Sequence, residues 1–180
     1  MSEVRLVVDH LRLNYNGPFD ANALFKHINA FLKERGWDIK IDKEFEQNTQ
    51  TGKYIEWQVN PWKRITDYAR YWPKIRILVH DYKKVDAIVD KKKVKVGNGR
   101  MTIYIDAYLE LDESQRWEGI PFFQFLRSLF NNFIYKVYTE RFEQRLSYDM
   151  HHLYDTIERF LNVYRHYKAI SRVPPFVTAR

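Results

Sequence analysis

Five titratable side chains lie close together in the C-terminal part of the sequence, and their spacing could support chemistry on a helix. They are Asp149, His151, His152, Asp155 and Glu158. Residues three or four positions apart share a helix face, so either histidine can meet Asp155. Such a pair can bind zinc or orient a histidine as a general base. We favour a solvated helix face, because these residues lie mostly off the apolar stripe of the same segment. The second interpretation of these residues is a pH-sensitive or inter-subunit pairing, and the third is a metal or catalytic site.

The remaining sequence carries no linear motif for catalysis or cofactor binding. Gly97-Asn98-Gly99 lacks the third glycine of a dinucleotide-binding loop, and we interpret it as a hairpin turn. The chain has no cysteine, which excludes disulfides and thiolate sites. It also has neither a Gly-x-Ser-x-Gly elbow nor a phosphate-binding loop. We therefore predict no catalytic residue, no metal ligand and no cofactor. These absences disfavour an enzyme and leave that question open.

Positive charge is concentrated in one stretch of the chain. From Pro61 to Arg100 there are twelve Lys and Arg against four Asp, a balance of +8, while the whole chain has a formal charge of +7. Such a stretch can attract anions. Its cations and aromatics fit three interpretations: a lysine-guarded sheet edge, a protein interface, or a surface for single-stranded nucleic acid. The residues assigned to this anion or nucleic-acid surface are Arg70, Trp72, Lys91, Lys93, Lys95, Arg100, Tyr104 and Tyr108.

Alternation and turn residues predict the elements that position these side chains. Val4–Tyr15 alternates as a strand, and a slip in the alternation near Val8–Asp9 predicts a bulge. Asp20 is a favourable N-cap for a helix, and Gly36 is placed to end it. Several antiparallel strands follow, of which the clearest hairpin pairs Val85–Val96 with Arg100–Leu111.

The region from Ile120 to about Ile170 has a helical pattern with two apolar stripes that do not join smoothly. Either the helix bends or breaks near Tyr138, or one long helix turns a new face to a new partner there. The first stripe predicts the lining of a cavity between helix and sheet. The second has the spacing of a coiled-coil seam, which predicts contact with a second copy or with another protein's helix. Packing on the chain's own sheet, or on Leu24–Leu32, is the alternative. The cavity residues are Phe122, Leu126, Leu129 and Phe133, and the interface residues are Leu146, Met150, Leu153, Ile157, Phe160, Tyr164 and Tyr167.

The order of these elements, strand, helix, antiparallel strands and long C-terminal helix, resembles the helix-grip fold of the START and polyketide-cyclase-like superfamily over Val4–Val137. The resemblance implies an α+β fold in which a curved antiparallel sheet packs against the C-terminal helix and leaves an apolar ligand cavity. The sequence departs from that fold in having one helix after the first strand and an extended C-terminal helical region. We divide the chain into a sheet-plus-helix domain (1–137), a helical extension of it (138–170) and a tail (171–180).

Three classes of function fit these patterns. We favour a non-enzymatic interaction or scaffold protein that assembles through its C-terminal helix, as a homo-oligomer or with a protein partner. A binding protein for an apolar small molecule is the second, and a binder of nucleic acid or an anionic surface is the third. Met1–Val8 lacks a signal-peptide pattern, which predicts a cytoplasmic location. Polar residues within Ile120–Tyr138, the most apolar window, predict no membrane span.

Overall fold

A computed structural model describes residues 3–66, 69–89, 92–111, 136–165 and 168–169. The chain folds as an α+β protein in which a C-terminal helix packs on an open antiparallel sheet, so the predicted fold class is confirmed. Kinship with the helix-grip superfamily stays a prediction. The elements are β1 (Glu3–Pro18), α1 (Ala21–Glu34), β2 (Asp38–Thr49), β3 (Gly52–Arg64), β4 (Ala69–Val89), β5 (Lys92–Leu111), α2 (Lys136–Arg165) and β6 (Lys168–Ala169).

The five long strands lie in the order β1-β5-β4-β3-β2, and every neighbouring pair is antiparallel. The short β6 pairs with β4 at Ala87 and Ile88. Both helices contact the same side of the sheet. Phe25 of α1 packs on Trp57 of β3, and the carbonyl of Phe142 in α2 accepts a hydrogen bond from Tyr71 of β4. We call this helix-covered side the inner face and the opposite side the outer face.

Strict alternation along β5 explains why the sheet has two different faces. Met101, Ile103, Ile105 and Leu109 are buried on the inner face, as the clean apolar pattern predicts. The residues between them point to the outer face and are mostly polar or aromatic. Since β5 lies between β1 and β4, its inner row forms the middle of the core.

Helix α1 begins and ends where the sequence predicts. Asp20 accepts hydrogen bonds through Oδ1 from the backbone N–H groups of Asn22 and Ala23, at 3.0 and 3.1 Å. Gly36, with φ of 71°, follows the helix in the left-handed region that favours glycine. Leu24 and Ile28 are completely buried between the helix and the sheet.

The predicted bulge in β1 is also present. The pairing of β1 with β5 shifts between Leu6 and Val8 and again between Val8 and Leu11. His10 lies within this irregular segment and adopts a positive φ of 48°. The bulge therefore changes the direction of the side chains at positions 9 and 10 relative to a regular strand.

The hairpin-turn interpretation of Gly97-Asn98-Gly99 is wrong. This segment is a regular part of β5 and pairs with both β1 and β4. The two glycines are required by close packing within the sheet. A Cβ on Gly97 would collide with the phenol of Tyr82, and one on Gly99 would lie 2.9 Å from the carbonyl oxygen of His80.

Helix α2 runs without interruption past Tyr138, and its apolar stripe forms part of the chain's own core. The side chains of Leu146, Met150, Leu153 and Ile157 are at most 1% exposed. These four residues therefore do not offer a surface to a partner helix, and the alternative of packing on the chain's own sheet holds. No helix in the described part of the chain is long and apolar enough to cross a bilayer.

Of the remaining residues of the two predicted stripes, some lie between the helices and the others lie outside the described part of the chain. Phe160 is half-buried and stacks on His27 of α1 at 5.0 Å, and its ring also contacts Tyr164 at 5.3 Å. These two rings thus lie at the contact between the helices. The residues that lie outside the described part of the chain are Tyr167 and the whole predicted cavity lining, Phe122, Leu126, Leu129 and Phe133.

Candidate functional site

A row of three apolar side chains crosses the outer face near one end of the sheet. Tyr108 of β5 lies opposite Leu6 of β1 on one side and opposite Trp72 of β4 on the other. The Trp72 and Tyr108 rings meet edge to face, with centroids 4.9 Å apart. Leu6 is 51% exposed and Trp72 is 38% exposed. We call Leu6, Tyr108 and Trp72 the aromatic row.

A second row, four residues further along β5, carries two arginines on one ring. Arg12 of β1 and Arg76 of β4 lie opposite Tyr104, with guanidinium carbons 5.5 and 5.3 Å from the ring centroid. Cation–π contact holds both groups in place. Nε of Arg12 donates to Asn14, whereas the buried Nε of Arg76 has no hydrogen-bond partner among the described residues. We call Arg12, Tyr104 and Arg76 the arginine row.

A compact group of titratable residues lies between these two rows, where β1 bulges. Asp106 of β5 is only 5% exposed, and its Oδ1 accepts a hydrogen bond from the backbone N–H of His10 at 2.9 Å. Nδ1 of His10 lies 2.6 Å from Oδ1 of Asp9 and 3.2 Å from Oδ1 of Asp106. The hydrogen bond to Asp9 raises the pKa of His10, and the charge of Asp106 adds to the rise. We call Asp9, His10 and Asp106 the bulge cluster.

The bulge cluster has the donor set of a divalent-cation site. Its ligand atoms all lie within 4.8 Å of one another. Carboxylate oxygens and an imidazole nitrogen suit Zn²⁺ or Mn²⁺. Sequence reasoning missed this cluster, although the slip near Val8–Asp9 marked the bulge itself. Only the register of β1 against β5 shows that Asp106 meets it.

Four of the eight residues predicted as an anion surface come together on the outer face. Trp72 and Tyr108 belong to the aromatic row, and Tyr104 belongs to the arginine row. Arg70 is there too, and it pairs with Glu110 through Nη2 and Oε2 at 2.6 Å. Because this ion pair is intramolecular, Arg70 contributes little net charge to the surface.

The other predicted cations lie elsewhere. Arg100 is on the outer face but four residues beyond Tyr104, where it pairs with Asp81. Lys95 lines a cavity on the opposite side of the sheet. Lys91, and the side chain of Lys93, lie outside the described residues. Arg12 and Arg76 are the cations that lie beside the aromatic rings instead. Arg76 could have been identified from the sequence, because it is separated from Arg70 and Trp72 by an even number of positions along β4 and so lies on the same face of the strand.

The titratable residues between Asp149 and Glu158, which their spacing in the sequence indicates as a possible site, contribute to helix packing instead. Asp149 pairs with Arg35 of α1 at 2.8 Å. His151 is exposed, and its Nδ1 lies 2.8 Å from the carbonyl oxygen of Ser147. His152 stacks on Phe31 of α1 with centroids 5.5 Å apart. Within the described ranges, only the bulge cluster brings three such ligands within coordinating distance.

Comparisons with known proteins leave the function to be argued from this geometry. No protein-family model matches the chain, and no curated protein or solved structure matches it at a significant level.

Proposed function

We propose that this protein binds single-stranded nucleic acid on the outer face of its sheet. The observation that carries the proposal is the aromatic row placed beside the arginine row on neighbouring strands. Unpaired bases stack on exposed aromatic rings, and guanidinium groups contact phosphates. The resulting surface suits a flexible strand of any sequence, because every base has a π face.

The spacing of the two rows fits a short strand of nucleic acid. Tyr104 and Tyr108 lie four residues apart on β5, which is about 13 Å along an extended strand. A base on Trp72 would leave the following phosphates near Arg12 and Arg76. Both guanidiniums are already held on the ring of Tyr104, so less side-chain entropy is lost when they bind.

The local charge favours a polyanion only moderately. Arg12, Lys74 and Arg76 are opposed on this face by Asp9 and Asp106, while Arg70 is neutralised by Glu110. Protonation of His10 adds one more positive charge. We therefore expect weak binding that depends on stacking as much as on charge.

Fluorescence anisotropy with labelled oligouridine and oligothymidine at low salt tests the proposal. Replacing Trp72 and Tyr108 together by alanine should remove roughly 1–3 kcal/mol of binding free energy for each lost stacking contact. Tyr148→Ala is the matched control, because Tyr148 is an aromatic residue on α2 that is 65% exposed. Absence of binding by the folded wild type, or equal binding by the double variant, would sink the proposal.

A protein partner is the second candidate, and exposed aliphatic side chains favour it. Val4 is 54% exposed beside Leu6, and both extend the apolar surface around Trp72. Trp, Tyr and Arg are the residues that dominate protein interfaces. An interaction protein would then assemble through the sheet and not through α2. Size-exclusion chromatography with light scattering tests self-association, and Leu6→Asp should then convert an oligomer into a monomer.

A further inference from the structure

A cavity of about 640 Å³ lies on the inner side of the sheet, on the opposite side from the proposed nucleic-acid surface. It is bounded by β3, β4 and β5 and by the first residues of α1, and Tyr164 near the end of α2 closes another side. This volume is within the range of sites that hold small molecules.

Three lysines on three neighbouring strands line this cavity: Lys53 on β3, Lys84 on β4 and Lys95 on β5. Lys53 pairs with Glu46, which also lines the cavity. Lys84 and Lys95 form no ion pair with any described residue and are exposed to solvent. Asp20 also lines the cavity, and Asp86 of β4 lies opposite Lys95 in the sheet. The three lysines against Asp20 and Glu46 leave the lining with a balance of +1, and Lys84 and Lys95 are its cations outside any ion pair with a described residue.

The lysines alone supply this positive potential, because the start of α1 is already satisfied. The N–H groups of Asn22 and Ala23 donate to Asp20, and the N–H of Ala21 lies 3.4 Å from the hydroxyl oxygen of Tyr82. An anion in the cavity would thus bind to side chains and not to the helix terminus. Point-charge ammonium groups are common ligands of phosphate.

The wall beside the lysines is largely apolar and closely packed. Tyr82 packs on Phe19 with centroids 5.4 Å apart and lies over Gly97, which has no room for a Cβ. Burial raises the pKa of the Tyr82 hydroxyl, so this group stays neutral at physiological pH. Buried Ile55 completes the wall. A ligand with an apolar body can contact this wall while its charged end meets Lys84 and Lys95.

We infer that the cavity binds a small organic phosphate, a monoester whose dianionic group lies between Lys84 and Lys95 and whose aromatic or aliphatic body packs on Tyr82. The inference does not depend on nucleic-acid binding, because the two surfaces use alternate residues on opposite faces of the sheet. An experiment can therefore reject nucleic-acid binding without rejecting organic-phosphate binding, and the reverse.

Nuclear magnetic resonance of the ¹⁵N-labelled protein tests the inference, with phenyl phosphate as the probe. Phenyl phosphate should shift the amide signals of Ala21, Tyr82 and Gly97 and leave that of Tyr108 unchanged. Phenol and inorganic phosphate each carry half of the recognised chemistry and should bind more weakly. Equal shifts with phenol, or no shift at the cavity at millimolar phenyl phosphate, would overturn the inference.

A pair of charge-removing substitutions makes the test specific. Replacing Lys84 and Lys95 together by glutamine should weaken phenyl phosphate binding by roughly tenfold or more, as expected for the loss of charged hydrogen bonds. Lys74→Gln on the outer face is the control and should bind like the wild type. The spectrum of each variant reports whether it is folded, so unchanged affinity in a folded double variant also rejects the inference.

Discussion

Ile75, Ile77 and Ile103 on the inner face of the sheet are at most 1% exposed, whereas Arg76 and Tyr104, their neighbours in the chain, form a charged row on the outer face. The two faces are built from alternate residues of the same strands. These buried inner residues are apolar and are explained by packing alone, whereas the outer face at the same level mixes rings, cations and carboxylates. The outer residues include exposed Leu6 and Trp72, which packing does not explain, and this contrast is the reason that we propose a binding function for the outer face.

The largest expected effect concerns the inner face, at the stripe of α2. Leu153→Ala should lower the free energy of unfolding by about 2–5 kcal/mol, because the side chain is fully buried and leaves a cavity. Urea denaturation measures the change. Val163→Ala on the same helix is the control, since Val163 is 61% exposed and should cost less than about 0.5 kcal/mol. Full stability in Leu153→Ala would mean that the stripe is not part of the core.

A smaller loss of stability is expected at the glycine beneath Tyr82. Gly97→Ala places a methyl group against the phenol, and the resulting displacement should cost about 1–3 kcal/mol. Tyr82→Leu combined with Gly97→Ala should recover part of this loss, because the smaller side chain makes room for the methyl group. A turn at this position would instead tolerate alanine poorly regardless of residue 82, so the double variant decides between the two explanations.

On the outer face, the salt dependence of oligonucleotide binding should report the arginine row. Replacing Arg12 and Arg76 together by glutamine should make the slope of log K against log salt shallower by about 1.4, the value for two single-strand phosphate contacts. Anisotropy titrations at several salt concentrations measure the slope. Arg70→Gln is the comparison and should change the slope less, because Arg70 is paired with Glu110. Equal slopes for wild type and double variant would remove phosphate contact from the arginine row.

The smallest effect is a pH dependence of stability at the bulge cluster. The pKa of His10 is raised in the folded protein by Asp9 and Asp106, while Arg76 opposes the rise. Protonated His10 therefore stabilises the fold below its ordinary pKa of about 6.5, and this contribution is lost as the pH rises through the raised pKa. Relative to wild type, His10→Gln should lower the urea midpoint most at about pH 5.5 and least at about pH 8.5. A difference that is independent of pH would contradict the assignment.

Local sequence signals predict the features that depend on neighbouring residues. The alternation along β5 gives its buried row, and Asp20 with Gly36 gives the limits of α1. Both follow from interactions within a few residues. The apolar stripe of α2 is equally visible, but its spacing does not specify whether it packs on the chain's own sheet or on a partner.

Features that depend on distant parts of the chain could not be predicted in the same way. The glycines at 97 and 99 resemble a turn, and only the position of Tyr82 on the neighbouring strand shows why they occur inside β5. The bulge cluster forms only if Asp106 lies against His10, and these two residues are 96 positions apart in the chain. A local sequence pattern predicts alternation within a strand, but it does not predict which residues of two distant strands lie opposite each other.

The order of the strands also constrains how the chain can be made. β1 precedes the other strands of the sheet in the chain, but its neighbour in the sheet is β5, which ends at Leu111. On the ribosome, an emerging chain therefore contains an unpaired β1 until most of the sheet has been translated. The β4–β5 hairpin joins adjacent segments and has the shorter loop to close, so it should form before β1 is added. Val4 and Leu6, which stay exposed in the folded protein, lie on β1, so this strand presents apolar side chains and an unpaired backbone edge until β5 is translated.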